Sequence, residues 1–288
     1  MDVGKNKSKY IGITSNVIFD RVGLKGYEWI ANAGFDSVDF NMQRGFYDPL
    51  ECSYPENFLE LVREHKNIIS QVGLRISQTH GPYYFSDEQL KDWNDLENYF
   101  QSVDLALKAT MILECDRFVI HPLYCLPWMK RNYDIDSLKL TKMLVERLLK
   151  RVCNSPVYIC IENLPYDFCN SLESHKKYIE LGQSENVKGC FDLGHALVRE
   201  ADPIQHLNIL KNEIYAVHLH DNDRKSDLHD RINTNNPFWK NMMNELQYNQ
   251  NIDTISLETS GIYKNCLEND IGIELRKDFE TVQALIRQ

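Results

Sequence analysis

Eight short runs rich in β-branched and aromatic residues alternate with longer helical patterns along the whole chain, an order that few folds satisfy. The runs lie at Tyr10–Ser15, Ser37–Asn41, Arg75–His80, Arg117–His121, Val157–Glu162, Val187–Asp192, Tyr215–His220 and Thr254–Glu258. Helical spacing fills the intervals at Gly26–Ala33, Glu56–Val72, Asp87–Leu113, Ile135–Asn154, Leu172–Leu181, Pro203–Asn212 and Pro237–Gln247, and a last stretch covers Glu268–Arg287. Eight β-α units in 288 residues have the order and size of an α/β (β/α)8 TIM barrel, typically about 250 residues. A doubly wound open sheet shares the alternation. It gives no reason for functional residues to end many strands, whereas a barrel brings all eight strand ends to one mouth.

Four runs do end in metal-binding residue types: Glu162, Asp192, His218 and Glu258. Side chains two apart on a strand share a face. Val157, Ile159 and Ile161 then face outward, leaving Tyr158, Cys160 and Glu162 inside the barrel. The residue beneath each proposed ligand is small (Cys160, Cys190, Ala216 or Ser256), as a tapering interior requires. Three carboxylates with one imidazole suit a single Mn²⁺, Mg²⁺, Co²⁺ or Zn²⁺, and the lack of thiolate argues against a structural zinc site. Further candidates follow other strands: His80, His121, His195, Asp227 and His229. His220 shares the face of His218, while His65, His175 and His206 sit in helical patterns and receive no role. Asp39, at the end of the second run, is open to a polar or a structural role.

Composition narrows the class. Hydrophobic content of 43% and charged content of 26% are those of a globular protein. A net charge of −10 gives no electrostatic footprint for nucleic acid or anionic lipid. Eight cysteines form no C-x-x-C pair, so a reduced, cytoplasmic protein is expected. Residues 1–9 read as a polar tail and 10–288 as one barrel domain with its site at the C-terminal ends of the strands. No apolar stretch is long enough to span a bilayer.

The series His80-Gly-Pro-Tyr, His121-Pro, Glu162-Asn, Asp192-Leu-Gly-His195, His218-Leu-His-Asp221, Asp227-x-His229 and Glu258-Thr resembles the xylose isomerase-like barrel superfamily. The resemblance spans nearly the whole chain in the right order. Its sugar isomerase and epimerase branch implies one catalytic divalent metal on Glu162, Asp192, His218 and Glu258. Glu162 and Glu258 would then act as acid and base on a small sugar, sugar phosphate or polyol, with the metal stabilising an enediolate. His195, His80 and Arg224 would orient substrate oxygens, and Tyr83, Tyr84 and Trp128 would wall the pocket. A homodimer is compatible with such a barrel. The related endonuclease IV branch implies up to three zinc ions on all nine candidates and hydrolysis of DNA at abasic sites. A non-catalytic metal- or ligand-binding barrel is a third reading. Two departures stand out: Arg231-Ile-Asn-Thr-Asn-Asn-Pro replaces the Gly-rich segment after Asp-x-His, and the loop after His121 lacks its usual glycine. The loops after the strands carry aromatic residues (Tyr83, Tyr84, Phe85, Tyr124, Trp128, Tyr166, Phe168) more than the Lys/Arg clusters that phosphate contacts need.

Overall fold

The computed structural model describes residues 9–84, 86, 88–199 and 202–287. Apart from Lys9, the expected N-terminal tail lies outside them, as do Phe85 and Asp87. Among the described residues, eight parallel strands close in sequence order into a barrel, with β1 paired to both β2 and β8. They are β1 (Tyr10–Thr14), β2 (Ser37–Asn41), β3 (Arg75–His80), β4 (Arg117–Ile120), β5 (Tyr158–Glu162), β6 (Val187–Asp192), β7 (Ile214–Leu219) and β8 (Thr254–Leu257). The helices are α1 (Asn16–Val22), α2 (Lys25–Ala33), α3 (Phe58–Gln71), α4 (Trp93–Ile112), α5 (Pro127–Tyr133), α6 (Ser137–Val152), α7 (Leu172–Ile179), α8 (Leu193–Arg199), α9 (Pro203–Leu210), α10 (Pro237–Tyr248), α11 (Ser260–Asn265) and α12 (Ile271–Ile286).

Three strands match the sequence reading at both ends, and the others differ by one residue at one or both ends. Helix starts follow local chemistry. Asp92 caps α4 through the backbone N–H groups of Asn94 and Asp95, so this helix begins later than its apolar pattern suggests. Asp202 caps α9 and Asn236 caps α10, each followed by a proline at the first helical position. The sequence reading missed α1, α5, α8 and α11. Each has six or seven residues, too short for a 3.6-residue period to register.

Apolar outward faces of the strands pack on the helices as one large core. The barrel interior holds a second, small cluster of Val119, Cys160, Cys190 and Ala216, with Tyr158 and Tyr215 packed against it. Tyr158, Cys160, Cys190 and Ala216 are inward as alternation predicts, whereas Tyr215 joins them at a register shift opposite Gly189/Cys190 and Val119 comes from β4. Two bulges interrupt the strand pairing, at Val38/Asp39 and Gly189/Cys190. Bulges re-aim side chains near functional ends of sheets. No described helix is long and apolar enough to cross a membrane.

The loop between β7 and α10 is tied down from outside. Arg231 donates to Asp278 of α12 and, at 2.8 Å, to Glu274. Asp278 also accepts from the Thr259 hydroxyl at 2.6 Å and from the Tyr263 hydroxyl. A side-chain network thus anchors the segment that lacks the family's glycines. Removing Asp278 leaves the buried Thr259 and Tyr263 hydroxyls without their acceptor, at about 1–3 kcal/mol for an unsatisfied group, while Arg231 keeps Glu274. Asp278→Ala should lower unfolding stability by about that much in urea denaturation; a change below about 0.5 kcal/mol would mean the network does not hold the loop.

Candidate metal centre at the barrel mouth

Glu162 closes β5 with 1% of its side chain exposed and four histidines around it. Its Oε1 lies 3.3 Å from Nδ1 of both His195 and His218. Its Oε2 lies 3.1 Å from His80 Nε2 and 3.4 Å from His121 Nε2. Burial opposes ionisation of this carboxyl, but His218, His121 and His195 outweigh it and hold its pKa well below the usual carboxylate range.

The neighbouring strand ends complete the group. His218 Nδ1 faces Glu258 Oε2 at 3.1 Å and Asp192 Oδ2 at 3.8 Å. Single atoms from Glu162, Asp192, His218 and Glu258 all lie within 4.8 Å of one another. Asp192 is fully buried, and its Oδ2 has no hydrogen-bond partner. An ionised oxygen in that condition is costly unless a cation satisfies it. Burial drives the His218 imidazole toward neutrality, yet Cys190, Glu162, Glu258 and Asp39 raise its pKa well above the ordinary value. The site draws positive charge, so the donor set fits a hard or borderline divalent ion.

The other face of His218 explains its orientation. Its Nε2 lies 2.8 Å from Asp39 Oδ2, which also accepts from Gln78 Nε2 at 3.0 Å. A proton held on Nε2 by Asp39 leaves the Nδ1 lone pair facing the space between the carboxylates, the carboxylate–histidine arrangement that tunes metal ligands. The Glu162-Asn motif has a similar use. Asn163 exchanges two 2.8 Å hydrogen bonds with the backbone of Asp192, locking the ends of β5 and β6 together. In Asp192-Leu-Gly-His195 the glycine makes room, since a Cβ on Gly194 would stand 2.0 Å from the His220 ring.

The further candidates surround this core in two groups. His80 and His121 share Glu162. The His80 Nδ1 lies 2.8 Å from the Gly81 carbonyl. His195, His220, Asp227 and His229 form the other group. There His195 Nε2 and His229 Nε2 lie 3.4 and 3.2 Å from Asp227 Oδ2, and His220 stacks on His229 at 4.0 Å. Burial opposes charge on His229, but Asp227 and Glu258 raise its pKa to about 9. Asp227 and His229 therefore reach the centre despite the altered loop.

The expected substrate contacts divide. Tyr83 lines the metal cleft and stacks on His121 at 4.5 Å. Tyr84 is buried beside it, with its hydroxyl on the Tyr124 carbonyl. Trp128 instead donates its indole N–H to the Leu90 carbonyl at 2.8 Å. Arg224 is exposed, its guanidinium 5.7 Å from the Phe238 ring. Neither lines the cleft. The sequence reading did not single out Lys264, carried on the short α11. It is exposed, yet partial desolvation lowers its pKa, Arg44 adds to this, and Glu258 and Asp227 oppose it.

Outer partners of ligating histidines typically contribute 10–100-fold to metal affinity. Asp39→Ala should weaken Mn²⁺ or Zn²⁺ binding by about that factor in calorimetric titration. Unchanged affinity would reduce Asp39 to a packing role.

Residues 27–275 match the family described as xylose isomerase-like TIM barrel. An uncharacterized protein of Methanocaldococcus jannaschii is 28% identical over 214 residues, covering 66% of this chain and 80% of that protein. Among solved structures, a D-tagatose 3-epimerase-like protein superposes with TM-score 0.71 at 18% identity, covering 96% of this chain and 98% of that one. The 3-keto-D-glucoside 4-epimerase YcjR of E. coli gives 0.68 at 16%, covering 96% and 99%. A D-psicose 3-epimerase of Clostridium cellulolyticum gives 0.71 at 16%, with the same coverages. At these identities the likeness is one of fold. The family match spans most of the barrel and takes in all nine clustered residues, and the chain belongs to the xylose isomerase-like TIM barrel family.

Proposed function

We propose that this protein is a divalent-metal-dependent sugar, sugar phosphate or polyol isomerase or epimerase that works by proton transfer. The observation that carries the proposal is the pair Glu162 and Glu258. Both point at the same imidazole nitrogen, His218 Nδ1, at 3.3 and 3.1 Å, from strands on different sides of one narrow cleft. The sugar epimerases among the structural neighbours support the same reading.

A divalent ion on Glu162, Asp192, His218 and Glu258 would supply Lewis-acid polarisation of a carbonyl and its adjacent hydroxyl. The chain's own residues do the rest. One of the two glutamates takes a proton from the carbon beside the carbonyl, and the other returns one. Glu258, with 14% of its side chain exposed against 1% for Glu162, has the freer access to substrate and is assigned as the base. His195, fixed at Nδ1 by the Asn163 carbonyl at 2.8 Å, orients a substrate oxygen, with His80 beside it. Tyr83 and Leu164 limit water at the reacting carbon.

One observation favours a second reading. The nine candidates gather into three adjoining groups that share Glu162 or abut it, as a trinuclear endonuclease IV-type phosphodiesterase would need. Against it, among the described residues no Lys or Arg lines the metal cleft or the cavity beside it, where a DNA backbone would call for cations.

In deuterated solvent, protein supplied with Mn²⁺ should exchange a C–H of at least one ketose in a panel of free and phosphorylated sugars. Glu258→Gln should slow this by at least about 100-fold, the range of a lost general base. Incision of an abasic oligonucleotide that the same substitution abolishes would overturn the proposal.

The pH dependence has a definite sign. The raised pKa of His218 means that its imidazole is charged without metal, and a ligating imidazole must give up that extra proton. Metal affinity should therefore rise from about pH 6 to about pH 8 with proton release on binding, visible in calorimetry across buffers of different ionisation enthalpy. Affinity that falls over this range would contradict the assignment.

A further inference from the structure

The metal cleft measures only about 80 Å³, and a much larger cavity of about 510 Å³ opens directly beside it. The two share His121, Leu164 and Tyr166, so a molecule held at the cleft continues into the cavity. The cleft has room for a cation and the reacting end of a substrate. The cavity is of the size that drug-sized ligands fill, roughly 300–1,000 Å³, and a single hexose falls well short of that.

Its walls select the occupant. Tyr166 and Phe168 present nearly parallel rings, 4° apart in plane, and Tyr124 closes the next side with its ring 5.9 Å from Phe168. Tyr124 and Tyr166 keep 44% and 45% of their surface exposed, and large aromatic surfaces clustered at a cleft mark binding sites. The Tyr124 segment is held by the Tyr84 hydroxyl on its carbonyl at 2.8 Å. Asp167 adds a carboxylate to the rim, and among the described residues no Lys or Arg lines the cavity. Flat apolar walls with an acceptor and no cation fit a ring with an apolar face and hydroxyl groups, and fit a phosphate poorly.

We propose that this cavity is a subsite for a second sugar ring, so that the substrate is a glycoside rather than a free monosaccharide; this rests on the isomerase reading above. The reacting sugar sits at the metal cleft through its carbonyl end. The second ring lies against Tyr124, Tyr166 and Phe168 with its hydroxyls toward Asp167.

Calorimetric titration of the protein as purified tests this with D-glucose, methyl β-D-glucoside, phenyl β-D-glucoside, cellobiose and maltose. At least one disaccharide should bind about tenfold tighter than either one-ring ligand, the gain expected from burying one apolar ring face. Tyr124→Ala and Phe168→Ala should each remove that preference and leave D-glucose binding unchanged. Tyr124 is half-exposed, so its variant tests the subsite without disturbing the core. Equal binding of all five ligands overturns the inference, as does a preference that survives both substitutions. A preference for the phenyl glucoside alone also overturns it, since Asp167 would then have no part. C–H exchange on the same samples reads the isomerase proposal separately: exchange without two-ring preference sinks only the subsite, and two-ring preference without exchange sinks only the isomerase.

Discussion

A carboxylate buried to 1% exposure, with imidazoles on every side, is the constraint on which the rest of this barrel depends. Taking an ion such as Glu162 out of water costs several kcal/mol unless its partners are well placed. Four strands and loops supply those partners, with His80 at the end of β3, His121 after β4, His195 after β6 and His218 on β7. Three of the four are themselves fixed, His195 by Asn163, His218 by Asp39 and His80 by the Gly81 carbonyl. This outer layer is rigid backbone and buried side chain, as a preorganised site requires. Remove the burial and the histidines would have no reason to hold raised or lowered proton affinities. Remove the histidines and Glu162 would be an unpaired charge in the core.

The barrel makes this arrangement economical. Small inward residues, Cys160, Cys190 and Ala216, fill the interior beneath the ligands, so the strands approach closely enough for four donor atoms to meet. The loops after the strands do different work. Those after β3 to β5 are aromatic and build the cavity wall, while the loop after β7 is polar and brings Asp227 and His229 over the centre. The external clamp of Arg231 on Asp278 and Glu274 takes the place of glycine flexibility there. The consequence is a mouth with little room around Glu162 and ample room to one side.

The barrel order and the convergence of Glu162, Asp192, His218 and Glu258 were legible in the sequence because alternation is a two-residue signal and strand ends fall at fixed positions. The clustering of His80, His121, His195, Asp227 and His229 also follows from their places after strands. Other features had no such signal. Asp39 meets His218 across 179 residues, and its aim depends on a β-bulge that composition does not reveal. Lys264 sits on a helix of six residues with no readable period. Trp128 was expected at the pocket because its segment follows β4, and Arg224 because the resemblance implied an arginine at that position, but neither ground fixes where the side chain turns. Trp128 found a carbonyl on the preceding loop, and Arg224 found the Phe238 ring. The division of the mouth into a small polar cleft and a large aromatic cavity depends on loop shape and could not be read from residue order.

Metal content decides the account most directly. Inductively coupled plasma mass spectrometry of protein purified without added metal should give about one divalent ion per chain, and Asp192→Asn should remove it, because four donors define one complete site and the flanking histidines are assigned to substrate and to Glu162. About three zinc ions per chain, with His80→Ala and His229→Ala each removing about one, would contradict a mononuclear sugar site and make the centre a trinuclear hydrolase.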